Sequence, residues 1–137
     1  MTAQAPAALV DTSVWIEFLR GGDGASAAWI RERLGTPRIL VSEPIMLELL
    51  AGARSGTMTK VERMLLSHTW CNIVPALDYR GAVDIYRAVR EAGHTVRSLN
   101  DCVIATIALR EGVPLAHRDA DYARIADVTG LSQIDLR

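Results

Sequence analysis

Four carboxylates lie beside apolar runs, where an unpaired charge is costly. They are Asp11, Glu48, Asp101 and Asp119. Lys and Arg residues are not interleaved in a way that gives each of the four a partner. If the fold gathers these side chains, they form a site of oxygen ligands alone, which suits Mg²⁺ or Mn²⁺. The pattern therefore predicts metal chemistry, and it requires elements that bring the four residues together.

Short apolar strands alternate with amphipathic helices, which predicts an α/β domain around a mostly parallel sheet of four or five strands. The predicted strands cover residues 8–10, 38–41, 72–74 and 113–117, with an edge strand at 132–135. The predicted helices cover residues 25–34, 57–67, 78–92 and 121–128. Further helices are predicted to be capped by Ser13 or Thr12, by Ser42 and by Ser98, and to end at Leu19 and near Gly52 and Gly112.

Ligand sites in parallel sheets lie beyond the carboxyl ends of the strands. Asp11 follows the first predicted strand and Asp119 follows the fourth, so both belong to that edge. Glu48 lies in the second turn of the helix after strand two. Asp101 joins the other three only if strand four is parallel to strand one. A single site thus depends on that orientation.

Two of the carboxylates also have a simple structural explanation within their own segments. Asp11 can act as a helix cap after a strand, although Thr12 and Ser13 can serve the same purpose. Glu48 can face solvent or pair with Arg54, but the leucines around it leave little polar surface. Function and structure both remain possible explanations for each residue.

The other carboxylates have structural explanations as well. Asp101 follows Ser98 by three residues, the spacing of a capping box with Asp in place of Glu. Such a residue at a helix N-terminus stabilises by ~0.3–1 kcal/mol, and the same helix dipole keeps a carboxylate ionised for metal binding. Asp119 and Asp121 follow a strand in a turn, where Asp is common. The joint pattern of four acidic positions at one edge favours a site.

Bulk composition restricts the classes of protein. A chain of 137 residues with 50% hydrophobic and 23% charged residues is expected to form one domain over residues 1–137, with a loose leader at 1–7. The net charge of −1 means that nucleic acid must be bound through a local patch. Two cysteines exclude a disulfide framework or zinc cluster. With no signal peptide or membrane span, we expect a cytoplasmic protein.

Four segments in order resemble the PIN-domain ribonucleases, and most closely the VapC toxins of bacterial toxin–antitoxin pairs. They are residues 10–15 (Val-Asp-Thr-Ser-Val-Trp), 46–52 (Met-Leu-Glu-Leu-Leu-Ala-Gly), 98–105 (Ser-Leu-Asn-Asp-Cys-Val-Ile-Ala) and 116–122 (Ala-His-Arg-Asp-Ala-Asp-Tyr). The resemblance covers the chain from about residue 8 to its end. One departure is His117, where the family often has Thr or Ser.

The resemblance implies a PIN-like α/β/α sandwich that acts as a Mg²⁺-dependent endoribonuclease, with Mn²⁺ able to substitute. Such a toxin of a type II toxin–antitoxin system hydrolyses structured RNA, either tRNA or ribosomal RNA, and inhibits translation. The implied partner is a cognate VapB-type antitoxin, and the implied assembly is a homodimer or a toxin–antitoxin hetero-oligomer. No membrane association is implied.

Within this scheme Asp11 and Asp101 are the first choice as direct metal ligands. Glu48 and Asp119 would bind through water, hold a second ion or orient the attacking water. The choice between Asp119 and Asp121 as the fourth acidic residue stays open, with Asp119 favoured because it lies nearer the strand end. One-ion and two-ion catalysis also remain open.

Substrate contacts are predicted for residues beside the carboxylates. Thr12 or Ser13 can hydrogen-bond Asp11 or the scissile phosphate, while Arg97 and Arg118 are placed to attract RNA phosphates. A helix face with Arg87, Arg90 and His94 is either a second basic patch or a solvated surface. His117 is a less favoured general base than metal-activated water.

Two other function classes fit part of the pattern. A receiver-like phosphoryl-transfer domain would need paired acidic residues early in the chain and a Lys after a late strand, but the only Lys is Lys60, in a predicted helix. A binding module whose carboxylates merely cap helices would have no activity. Met46, Met58 and Met64, with neighbouring leucines, form either a groove for an antitoxin helix or ordinary core.

Overall fold

The computed structural model describes residues 6–137 and shows an all-parallel sheet flanked by helices. Its strands are β1 (Ala8–Val10), β2 (Ile39–Val41), β3 (Thr69–Trp70), β4 (Leu115–His117) and β5 (Gln133–Asp135). Its helices are α1 (Thr12–Leu19), α2 (Ala25–Arg31), α3 (Glu43–Ala51), α4 (Met58–Leu66), α5 (Pro75–Glu91), α6 (Leu99–Glu111) and α7 (Ala120–Val128). The predicted α/β class with a parallel sheet is confirmed.

The strand order is β3-β2-β1-β4-β5, and every neighbouring pair is parallel. Strand β1 lies at the centre, where Leu9 pairs with Leu40 of β2 and with Leu115 of β4. Because β4 is parallel to β1, the condition on which the common site depended is met. The carboxyl ends of β1, β2 and β4 therefore open on one edge of the sheet.

The core forms because strands β1, β2 and β4 are buried on both faces. Helix α6 packs against α5 and is itself almost entirely apolar beyond its first turn, as expected for a helix with no solvent-facing side. Its end at Gly112 is set by the left-handed backbone of that glycine (φ 66°), which closes the last turn. Packing against α5 thus holds α6 in place, with its first turn at the carboxyl edge of the sheet.

The third strand was predicted in the wrong place. Residues 72–74 do not pair with the sheet, and β3 instead lies at Thr69–Trp70. The backbone N–H of Ile73 donates to the Glu43 carboxylate at 2.8 Å, and that of Val74 donates to Asp78 at 2.7 Å. These side chains take the donors that a strand would need.

The ends of several other elements also differ from the prediction, and α5 begins at Pro75, three residues before its predicted start, with the proline in its first turn. Helix α2 ends at Arg31, since residues 32–35 form turns that close at Gly35 (φ 75°), and Leu34 is exposed. The cap of α1 is Asp11 itself, whose side chain accepts from Ser13 N, so Thr12 and Ser13 lie inside the helix.

The predicted loose leader at residues 1–7 falls mostly outside the described residues, and Ala7 packs against the core. Over residues 6–137, every helix is too short or too polar to traverse a lipid bilayer.

Candidate metal centre

A pocket of about 360 Å³ opens at the carboxyl edge of the sheet. Its lining residues are Asp11, Thr12, Ser13, Ile16, Glu48, Arg97, Ser98, Asp101, Asp119 and Asp121. Every residue that the sequence singled out for the site is in this lining except Arg118. The structure therefore brings the predicted carboxylates together, and Ile16 and Ser98 are additions.

Asp11 is held from both sides at the end of β1. Its Oδ2 accepts from the Ser13 backbone N–H at 3.0 Å and from the Ser13 hydroxyl at 2.6 Å. Its Oδ1 accepts from the Tyr122 hydroxyl at 2.6 Å. The Ser13 hydroxyl also accepts from the backbone N–H of Arg118 at 3.0 Å, which ties the two strand ends together. Asp11 thus caps α1 and faces the pocket at once.

Asp101 lies in the first turn of α6 and is 8% exposed. Burial raises the pKa of its carboxyl to about 7, and the neighbouring charges of Asp11, Glu48 and Asp119 act in the same direction. The predicted capping box is not formed, because the Ser98 side chain makes no cap hydrogen bond and Asp101 turns toward Tyr122 instead. A buried carboxylate among like charges is a site prepared for a cation.

Glu48 is half-buried and points into the same pocket from α3. The Asn100 side-chain amide donates to Glu48 Oε1 at 2.6 Å and to the Pro44 carbonyl at 3.1 Å. Burial raises the pKa of Glu48, the Asn100 hydrogen bond opposes that rise, and the charge of Asp11 adds to it. Among residues 6–137 Glu48 makes no ion pair, with Arg54 or any other cation.

Asp119 and Asp121 differ in how their charge is compensated. One carboxylate oxygen each from Asp101, Asp119 and Asp121 lies within 4.8 Å of the others. Asp121 is fully buried and pairs with Arg97 at 3.2 Å and with Arg124 at 2.9 Å. Although burial alone would raise its pKa, the backbone and side-chain hydrogen bonds from Arg97 hold the pKa of Asp121 below its ordinary value. Asp121 therefore anchors arginines.

Asp119 is the more open member of the pair, with a quarter of its side chain exposed. It accepts from the backbone N–H of Asp121 at 3.0 Å and so caps α7. Its only described ion pair joins it to the exposed Arg97 at 3.1 Å. Displacement of that exposed partner would leave Asp119 free to face the pocket, which favours Asp119 over Asp121 as the fourth acidic residue.

His117 is a packed residue outside the pocket. Its Nδ1 accepts from the backbone N–H of Asp119 at 3.1 Å, and its Nε2 lies 2.8 Å from Gln133 Oε1. Because Nδ1 accepts a hydrogen bond, the ring proton lies on Nε2, and this N–H donates to the Gln133 amide oxygen. Because both ring nitrogens are engaged and the ring is fully buried, His117 is not available as a general base.

Arg118 is the predicted site residue that the structure leaves outside the lining. Its guanidinium pairs with Glu17 at 3.3 Å instead of facing the carboxylates. The exposed Arg87, Arg90 and His94 on and after α5 also lie outside the pocket. Arg97 is therefore the one cation in the lining among the described residues.

Two side chains that contact the carboxylates were missed by sequence reasoning. Tyr122 bridges Asp11 and Asp101, and Asn100 holds Glu48. Both lie inside segments that carry the acidic positions, so their polar groups beside apolar residues were a usable signal. Their partners are far away in sequence, which is why spacing alone did not assign them.

The residues present fit a divalent cation of the Mg²⁺ type. Their ligand atoms are all oxygens, and five carboxylates face one guanidinium in the lining. The buried Thr12 hydroxyl also has no hydrogen-bond partner among residues 6–137 and lines this pocket. Because five carboxylates exceed the charge of that one guanidinium, the lining calls for a ligand that supplies positive charge and bound water.

The fold and the acidic pocket define a class, and comparison with known proteins agrees with it. The sequence profile described as PIN domain matches residues 8–128, so the chain belongs to the PIN domain family. The relatives include the VapC ribonuclease Mb1587 of Mycobacterium bovis and ribonuclease VapC11 of Mycobacterium tuberculosis, each 43% identical over 132 residues. These alignments cover 94% of this chain and 98% of each relative, which identifies a VapC-type member of the family.

Solved structures agree in fold. A toxin–antitoxin complex from Klebsiella pneumoniae matches with a TM-score of 0.70 at 19% identity, over 96% of this chain and 98% of that one. VapBC2 from Rickettsia felis, bound to a promoter DNA fragment, matches with a TM-score of 0.71 at 14% identity, over 96% and 99%. VapBC-5 from Mycobacterium tuberculosis matches with a TM-score of 0.66 at 22% identity, over 96% and 99%.

Proposed function

We propose that this protein is a Mg²⁺-dependent endoribonuclease and the toxin of a type II toxin–antitoxin pair. The observation that carries the proposal is the pocket of converging carboxylates, in which the pKa of Asp101 is raised to about 7. The names of the relatives as VapC ribonucleases support the reaction class. The proposed substrate is structured RNA, tRNA or ribosomal RNA, whose hydrolysis would inhibit translation in the cytoplasm.

Asp11 and Asp101 are the proposed direct ligands, with Glu48 and Asp119 completing the site directly or through water. Asp121 contributes by holding Arg97. Mn²⁺ is expected to substitute for Mg²⁺, because both prefer oxygen ligands. When bound, the ion supplies Lewis-acid stabilisation of phosphate charge and lowers the pKa of a coordinated water.

The protein's own side chains orient the reacting groups. Ser13 and Tyr122 fix the Asp11 carboxylate, and Asn100 fixes Glu48. The Thr12 hydroxyl lies close enough to Glu48 to oppose the rise in that residue's pKa, and it is placed to donate a hydrogen bond to a phosphate oxygen in the pocket. Glu48 and Asp119 accept hydrogen bonds from the attacking water and orient it toward phosphorus.

RNA approach requires a cation at the rim of an acidic pocket. Arg97 meets this need, since three quarters of its side chain is exposed while its guanidinium contacts Asp119 and Asp121. A phosphate arriving at the pocket can exchange for those contacts without a change in fold. Arg118 is a secondary candidate, because its pairing with Glu17 leaves it partly exposed near the strand ends.

The cleavage test uses purified protein and a tRNA and rRNA panel. EDTA should abolish cleavage, and Mg²⁺ or Mn²⁺ should restore it. Asp11→Asn and Asp101→Asn should fold and lose cleavage, whereas Asp84→Asn, which removes an exposed carboxylate of α5, should not. A folded Asp101→Asn protein that cleaves at the wild-type rate would contradict the proposal, as would metal-independent cleavage. Metal binding without cleavage of any RNA would favour a binding module.

The proposed antitoxin site is an apolar cavity of about 850 Å³ beside the pocket. Its wall includes Leu19, Leu49, Val61 and Met64, with Ile16 and Glu48 shared between the two cavities. Its remaining lining residues include the cations Arg20, Arg54 and Lys60. A VapB-type segment seated there would reach the carboxylates, and the matched Klebsiella structure is itself a toxin–antitoxin complex.

Only some of the methionines and leucines predicted to form an antitoxin groove line this cavity. Met64 and Leu49 line it, whereas Met46, Met58 and the neighbouring leucines Leu50, Leu65 and Leu66 do not. We propose that the toxin binds its antitoxin as a hetero-oligomer and forms a homodimer without it. Light scattering of each species measures these states.

A pair of matched variants tests the antitoxin site. Leu19→Asp in the groove should weaken inhibition by the cognate antitoxin while leaving cleavage intact. Leu77→Asp, at an exposed leucine on α5, should leave both unchanged. Equal inhibition of all three proteins would reject the groove as the antitoxin site, whatever the outcome of the cleavage test.

A further inference from the structure

Tyr122 places one hydroxyl between two carboxylates of the pocket. The residue lies on α7 and is fully buried. Its hydroxyl oxygen is 2.6 Å from Asp11 Oδ1 and 3.2 Å from Asp101 Oδ1. These aspartates follow β1 and begin α6, so a single atom connects three separate elements at the site.

The hydroxyl is not explained by packing. The Tyr122 ring lies against the buried ring of His117, with centroids 5.1 Å apart, and His117 is fixed by its own hydrogen bonds. Phenylalanine would fill this space equally well and would leave no polar atom to satisfy. A buried hydroxyl is costly without partners, and the partners chosen here are both acidic.

The two carboxylates depend on the hydroxyl to different degrees. Asp11 is also held by Ser13, so its orientation has independent support. Asp101 has Tyr122 as the sole hydrogen-bond donor to its carboxylate among residues 6–137. Without that contact, rotation of the Asp101 side chain would be limited only by packing.

We propose that Tyr122 is a positioning residue, whose hydroxyl sets the Asp11 and Asp101 carboxylates in the mutual orientation that receives the divalent cation. This inference rests on the proposed function, because it concerns the same site. A phenol has one proton, so the two carboxylates share it, with the stronger hydrogen bond at the shorter distance to Asp11 and the weaker one to Asp101. The shared hydroxyl thereby sets the separation of the two carboxylates.

The test replaces Tyr122 by Phe, with Tyr86→Phe as the matched control. Tyr86 is a half-buried tyrosine on α5 that packs against the core away from the pocket. Calorimetric titration of the metal-free proteins, without RNA, should show about tenfold weaker Mn²⁺ binding for Tyr122→Phe than for wild type. Tyr86→Phe should bind Mn²⁺ as wild type does. Excess Mn²⁺ should restore most of the lost kcat, while KM for RNA stays unchanged.

Several outcomes separate this inference from the function on which it rests. Wild-type protein that binds no Mn²⁺ would overturn the proposed metal site and the inference with it. Wild-type binding matched by Tyr122→Phe, with equal kcat, would overturn the inference alone. A loss of affinity shared by Tyr86→Phe would also overturn it, because a general loss of packing would then be the cause.

A measurement on the wild-type sequence covers the case in which Tyr122→Phe does not fold. The chain has three tyrosines, so fluorotyrosine labelling gives three fluorine signals, assigned through Tyr79→Phe and Tyr86→Phe. Mg²⁺ should shift the Tyr122 signal far more than the other two. A Tyr122 signal that does not move under saturating Mg²⁺ would overturn the inference.

Discussion

A buried carboxylate lies near each end of helix α6, Asp101 in its own first turn and Asp78 on the neighbouring α5, and the structure compensates only one of the two charges with a cation. Near the C-terminus of α6, Arg110 forms hydrogen bonds to both oxygens of the fully buried Asp78, each at 2.9 Å. At its N-terminus, Asp101 is surrounded by other carboxylates. Burial alone would raise the pKa of both, but the Arg110 and Val74 hydrogen bonds bring the pKa of Asp78 below its ordinary value.

This contrast separates structural charge from functional charge. The Asp78–Arg110 pair also fixes the chain around β3, since Arg110 donates to the Asn72 carbonyl and Asp78 accepts from Val74. Nothing in the described protein compensates Asp101 in that way. Asp78 shows that a buried aspartate in this protein can be fully compensated by an arginine. Asp101 lacks such a cation, which indicates that a ligand supplies the positive charge.

The largest expected effect on RNA cleavage comes from neutralising Asp101, the buried carboxylate that has no paired cation. Asp101→Asn should lower Mg²⁺-dependent RNA cleavage by at least about 100-fold, because a metal ligand contributes several kcal/mol to transition-state stabilisation. Single-turnover cleavage measures the change, with circular dichroism as the check on folding. A loss of cleavage smaller than tenfold in a folded Asp101→Asn protein would contradict the functional role assigned to Asp101.

Breaking the Asp78–Arg110 pair should lower the stability of the fold and should not change the chemistry of the site. Arg110→Met leaves Asp78 buried without its cation, and we expect about 3 kcal/mol loss in the free energy of unfolding. Urea denaturation measures this loss. The control is Arg80→Met, which removes an exposed pair with Asp84 on α5 and should cost less than about 1 kcal/mol. Equal effects from the two variants would show that burial of the pair is unimportant.

The stability of the metal-free protein should depend on pH through Asp101. In the folded state its pKa is raised from 3.8 to about 7, so between these values the folded protein binds more protons than the unfolded chain. The free energy of unfolding should therefore fall as pH rises through this window, by about 2 kcal/mol once solvent at the pocket mouth is considered. Denaturation across the window should show this slope in wild type.

Two controls isolate the source of that slope. Asp101→Asn should reduce the slope to the contribution of Glu48, whose pKa burial also raises, and saturating Mg²⁺ should remove it, since the ion stabilises the ionised carboxylates. Asp78 and Asp121, whose pKa values are lowered, act below the window. An unchanged slope in Asp101→Asn would show that another group is responsible.

The smallest effect is expected at the rim. Arg97→Ala should weaken RNA binding by less than about tenfold and reduce the salt dependence of binding by about one phosphate contact. Filter binding at several salt concentrations measures both quantities for a catalytically inactive protein. Arg87→Ala, on the exposed face of α5, is the control that should leave the slope unchanged. A matching change in Arg87→Ala would place RNA on that face.

The sequence predicted most of the frame because its strands are continuous apolar runs. Burial on both faces leaves little ambiguity about β1, β2 and β4, and parallel order then follows from the helices between them. Strand β3 was misplaced because Glu43 of α3 takes the backbone donor of Ile73, and Asp78, four residues along the chain, takes that of Val74. The contact from Glu43 is invisible to local pattern.

The acidic positions were predictable, whereas their pairing was not. Position relative to a strand end located Asp11 and Asp119, but Arg97, which pairs with both Asp119 and Asp121, comes from another segment. The same limit hid Tyr122, whose hydroxyl meets residues far away in sequence. Spacing indicates which residues share an edge, and only packing shows which of them remain uncompensated.

The central claim is that the uncompensated carboxylates hold a divalent cation, and calorimetric Mn²⁺ titration above the Asp101 pKa tests it most directly. Wild type and Asp84→Asn should bind Mn²⁺ alike, and Asp101→Asn should lose that binding while remaining folded. Equal Mn²⁺ binding by Asp101→Asn and wild type would contradict the account.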